Sequence, residues 1–161
     1  MEETRPVTRA RVDLLAEVDR IIRESHSTED ALGEVVNLLV SRGRRFSWVG
    51  VYLRLSGRLE LGPWAGRDHP PHPRSAPLDR GPLGLAASLA RTVYLPELRG
   101  TARWLACPAE ARSEIVVPVV LEGRVAALLD ADARRPNSVT VADRGLLEAV
   151  AERLAARKPV S

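Results

Sequence analysis

The chain has 161 residues, of which 45% are hydrophobic and 28% charged, a balance that suits one globular domain and excludes a disordered or fibrous chain. A single cysteine excludes a disulfide scaffold and fits a reducing compartment. The net charge of +3 is nearly all arginine scattered among 21 acids, no apolar run approaches the roughly 20 residues that span a bilayer, and the first residues lack a signal layout, so the expectation is a cytoplasmic protein without nucleic-acid or membrane partners.

Residues 1–8 read as a loose tail. From Ala10 to Glu24, Val12, Leu14, Leu15, Val18, Ile21 and Ile22 recur at the spacing of one helical face. Ser27 then offers an N-cap, with Glu29 and Asp30 in the first turn of a second helix. That helix carries Leu32, Val35, Val36, Leu39 and Val40 and stops at Gly43. Phe46 to Leu55 is rich in β-formers, Ser56-Gly57 makes a tight turn, and Arg58 to Trp64 returns as the hairpin partner. Prolines 63, 70, 71 and 73 mark Ala65 to Ser75 as a loop. Gly81-Pro82 opens a short helix through Leu85 and Leu89, and Thr92 to Leu95 is a short strand. Pro96 to Arg112 is a long connection that holds Cys107. Glu114 to Leu121 and Arg124 to Asp132 form a second hairpin around Glu122-Gly123. A final helix runs from Thr140 or Val141 to Arg157, with Leu146, Leu147, Val150 and Leu154 inward. Helices at both ends of two hairpins predict an α+β fold. Its central antiparallel sheet carries the N- and C-terminal helices largely on one face, and loops cover a pocket on the other. No internal repeat or linker divides residues 1–161.

Chemistry concentrates at the second hairpin. Asp130 and Asp132 share one side of a strand whose preceding run, Val125 to Leu129, is apolar, while Ala131 points the other way. Glu114 opens the neighbouring strand, and counting outwards from the Glu122-Gly123 turn brings all three carboxylates to the same end. Clustered acids repel, so at least one should keep its proton near neutral pH and serve as a general acid beside an ammonium-binding site. The alternative is a surface role, with Asp132 capping a loop and Glu114 paired with Arg112. Trp48 and Tyr52 lie on one strand face and could wall a pocket or simply fill the core. His69 and His72 have no spacing that defines a metal site with Cys107, and a solvated loop is the better reading. Cys107 itself is either a buried apolar filler or a nucleophile that depends on an outside electron donor.

The element order resembles a stand-alone GAF domain, and particular segments resemble the free methionine-(R)-sulfoxide reductases. These are Trp48 to Leu53, Leu61 to Gly66, Arg80 to Gly84, Ala106-Cys107, Ser113 to Pro118 and Leu129 to Asp132. The resemblance implies that Cys107 is the nucleophile that becomes a sulfenic acid. It implies that Glu114, Asp130 and Asp132 bind the substrate ammonium and supply a proton, and that Trp48 and Tyr52 surround the substrate side chain. It implies no cofactor, a small amino-acid-like substrate, an external thiol as reductant and a homodimer. The chain departs from that family where two further cysteines are usual, at about Pro73 and at Leu83. Pro108 also stands in place of aspartate, and Trp104 in place of histidine. Two outcomes fit: a one-cysteine reductase regenerated by an outside thiol, or a non-catalytic GAF module that binds an amino-acid-like ligand.

Overall fold

A computed structural model describes residues 4–43, 45–67, 73–98 and 111–157. Within them the chain forms α1 (Thr4–Glu24), α2 (Thr28–Arg42), β1 (Trp48–Leu55), β2 (Arg58–Gly66), β3 (Ser75–Pro77), α3 (Gly81–Leu89), β4 (Val93–Leu95), β5 (Ser113–Leu121), β6 (Arg124–Ala133) and α4 (Val141–Ala156). The strands make one antiparallel sheet in the order β3-β2-β1-β6-β5-β4. Each hairpin keeps its strands adjacent, and the β1–β6 pairing joins the two hairpins at the centre. This is the predicted α+β architecture.

The period-2 alternation of the strands divides the apolar side chains between two cores. Val49 and Val51 of β1, Ile115, Val117 and Val119 of β5, and Ala127, Leu129 and Ala131 of β6 face one side. There they meet Val18 and Ile21 of α1, Val35, Val36 and Leu39 of α2, and Leu147 and Val150 of α4. Full burial of one such Leu or Val removes it from water at a gain of about 1.5–3 kcal/mol, and this face supplies the bulk of the core. Trp48, Tyr52, Val116 and Leu128 face the other side, where Leu83, Ala86 and Ala87 of α3 pack against them.

Helix ends follow their sequence signals. Ser27 Oγ accepts from the Asp30 amide at 3.0 Å, and Thr140 and Asp143 form a reciprocal capping box at the start of α4. Two boundaries differ from expectation. Helix α1 begins at Thr4 and takes in residues read as a tail, and Val12, read as part of the apolar face, stands exposed. Strand β2 continues to Gly66, and residues 75–77 form an edge strand, so both ends of the predicted loop are strand, while its residues 68–72 lie outside the described residues. Pro63 is tolerated within β2 because it sits at a bulge. Gly62 and Pro63 together oppose Val51, between the Gly50–Trp64 and Tyr52–Leu61 pairs.

Candidate active site

Strand β6 is the middle of the site. Asp130 stands opposite Gly50 of β1 and Val116 of β5, and Asp132 stands opposite Trp48 and Glu114. The register therefore places the three carboxylates on one patch of the face that looks towards α3. All are buried: Glu114 is 2% exposed, and Asp130 and Asp132 are 0% exposed. One oxygen from each lies within 4.8 Å of the others, a donor set that could hold a cation, whether an ammonium group or a metal ion. The surface alternative fails on these positions, and Arg112 pairs with Glu97 at 3.1 Å instead.

Among the described residues, Asp130 has no hydrogen-bonding neighbour other than the Glu114 carboxyl. Burial raises the Asp130 pKa well above the ordinary carboxylate value, and the nearby charges of Glu114 and Asp132 push it the same way. Two ionised carboxylates cannot hydrogen-bond to each other, whereas Asp130 and Glu114 can do so across a shared proton. The direction of that shift favours the protonated form of Asp130 beside its acidic neighbours.

Trp48 and Tyr52 lie on the same face, both 0% exposed. The Trp48 indole folds back over Gly50 and stacks with Trp64, with ring centroids 6.4 Å apart and planes inclined by 21°. A Cβ on Gly50 would fall 2.3 Å from Trp48 Cη2, so the absence of a side chain there is what lets the ring lie flat on the strand. The Tyr52 hydroxyl donates to the Pro73 carbonyl at 2.8 Å and ties the backbone ahead of β3 to the sheet. At the mouth of β5, buried Ser113 donates through Oγ to the Arg135 carbonyl at 2.7 Å, which fixes the strand that carries Glu114.

The structure brings together five of the six residues singled out in the sequence: Trp48, Tyr52, Glu114, Asp130 and Asp132. Cys107 lies outside the described residues, as do Trp104, Pro108, His69 and His72. Leu83, where the resemblance places a cysteine, is a buried residue of α3 and packs in the same core as Trp48 and Tyr52. Gly50 and Trp64 were not assigned roles. A glycine inside an apolar strand, between two aromatics, was the available signal for a ring lying on the backbone.

The GAF domain family profile matches residues 25–156. Among individual proteins, the chain is 29% identical over 135 residues to protein YtsP of Bacillus subtilis, covering 79% of this chain and 81% of that one. It is 28% identical over 141 residues to the free methionine-R-sulfoxide reductase of Escherichia coli, covering 87% and 84% of the two chains. The structure of free methionine-R-sulfoxide reductase from Neisseria meningitidis in complex with its substrate superposes with a TM-score of 0.83 at 27% identity, covering 91% of this chain and 87% of that one.

Proposed function

The chain belongs to the GAF domain family, and from that premise we propose that it is an oxidoreductase that reduces free methionine-(R)-sulfoxide to methionine. The observation that carries this reading is the buried Glu114–Asp130–Asp132 cluster set beside Trp48 and Tyr52. Negative charge of that density favours an ammonium group, which a free amino acid has and an internal residue of a protein lacks. Burial and its acidic neighbours raise the Asp130 pKa, which suits that carboxyl to act as a proton donor. Similarity to the Escherichia coli and Neisseria meningitidis reductases supports the same substrate.

In the proposed reaction, the Cys107 thiolate attacks the sulfoxide sulfur while the acid cluster protonates the sulfoxide oxygen. The oxygen ends on Cys107 as a sulfenic acid, and methionine leaves with its sulfur reduced by two electrons. With no second cysteine in the chain, two outside thiols complete the cycle. The first forms a mixed disulfide with Cys107 and releases water. The second frees Cys107 and departs with the first as a disulfide. The test is consumption of methionine-(R)-sulfoxide with excess dithiothreitol. The parent is expected to turn over and Cys107→Ser to be inactive, and no turnover by the parent overturns the proposal. Asp130→Asn should lower kcat by about 10²–10⁴-fold if its proton is the one transferred.

The single cysteine favours one other reading, a GAF module that binds an amino-acid-like ligand without turnover. In that case methionine or its sulfoxide raises Tm equally in the parent and in Cys107→Ser, and neither consumes the sulfoxide.

A further inference from the structure

Four arginines gather at the end of the sheet where β1 begins and β2 and β6 finish. Arg45 precedes β1, Arg67 follows β2, and Arg134 and Arg135 follow β6. They line a cavity of about 720 Å³ with Val40 and Phe46, and no carboxylate lines it among the described residues. That size lies within the roughly 300–1,000 Å³ of small-molecule sites. Phe46 belongs to the core under α1, α2 and α4, so the cavity opens on the helix side of the sheet. Glu114, Asp130 and Asp132 face α3 on the opposite side.

The backbone that presents these arginines is cross-tied. The Ser47 amide and Oγ both donate to the Asp132 carbonyl, at 2.9 and 3.3 Å, and the Arg67 amide donates to the Ser47 carbonyl at 3.2 Å. Arg45 donates to the Ser138 carbonyl at 3.2 Å, and Ser138 Oγ donates to the Arg135 carbonyl at 3.0 Å. Arg45 also stands 3.6 Å from Asp143, whereas the Arg67 and Arg135 side chains meet no acid among the described residues. Arg67 and Arg135 bring like charges to one cavity, and an oxyanion bound between them relieves their repulsion. Guanidinium groups suit this task because their planar forks bind oxyanions two oxygens at a time.

We propose that this cavity binds a compact polyanion, a small molecule carrying two or more phosphoryl or carboxylate groups, with Arg67 and Arg135 as its main charge contacts. The proposal does not depend on the reductase reading, since it uses the other side of the sheet. Its test is calorimetric titration of the full chain with pyrophosphate and, separately, with citrate, at constant ionic strength held with potassium chloride. The parent and two double variants are compared. Arg67→Ala/Arg135→Ala removes the cavity contacts. Arg54→Ala/Arg124→Ala makes the same change of net charge at the opposite end of β1 and β6. Saturable binding of either anion by the parent is expected, weakened at least tenfold in the first variant and retained in the second. The anion that binds more tightly identifies phosphoryl or carboxylate chemistry. Absence of saturable binding by both anions, or equal loss in both variants, overturns the proposal by reducing the arginines to general surface charge.

Discussion

Asp130 combines complete burial with two acidic neighbours, and the cost of its ionisation depends on pH. In the unfolded chain it loses its proton near 3.8, and in the folded chain it does so at higher pH. Between those values the folded state holds the extra proton, so stability falls as pH rises through that window and stays reduced above it. Asp130→Asn removes this dependence. Its Tm should gain on the parent as pH rises from acid to neutral, at roughly 2–4 °C for each kcal/mol relieved. An unchanged Tm difference across that range would contradict the assignment. Gly50→Ala places a methyl group against the Trp48 indole and should cost about 1–3 kcal/mol. Near-ultraviolet circular dichroism should register loss of the Trp48–Trp64 stack. The acids were legible in the sequence because charges at the end of an apolar strand are expensive without a purpose. Trp64 was not, because its partner depends on a bulge that shifts the β1–β2 register.

Among the elements, those with a strong period and an explicit cap were read closely. Helix α2 has the predicted Ser27 cap and stops at Gly43, and α4 begins at the Thr140 box. Thr140→Ala removes one half of that box and should cost about 1 kcal/mol, read as a fall in Tm of roughly 2–4 °C. Activity should be unaffected, since α4 lies across the sheet from the acids. The elements that departed from expectation are those decided by partners distant in sequence. Strand β3 is three residues ending in proline and exists because Arg58, Leu59 and Glu60 pair with it. Pro63 sits inside β2 because the bulge leaves it without a ladder bond to break.

At the scale of the whole molecule, the sheet separates two tasks. The face under α1, α2 and α4 holds most of the apolar mass, and the face under α3 holds the acids and aromatics. Among the described residues, no helix is long and apolar enough to cross a membrane. The alternation of residues along β1, β5 and β6 made this separation predictable. The gathering of arginines from three loops was not, because nothing in the spacing of residues 45, 67, 134 and 135 signals that they meet. The sheet's outer strands carry a further consequence. Both β3 and β4 are only three residues long, one ending at Pro77 and the other followed by Pro96. Proline has no amide hydrogen to offer a neighbouring backbone, so each of these short edge strands presents little for another chain to zip onto. A concentrated solution should therefore resist growth into cross-β fibrils, and self-association, where it occurs, should proceed through helices rather than by extension of the sheet.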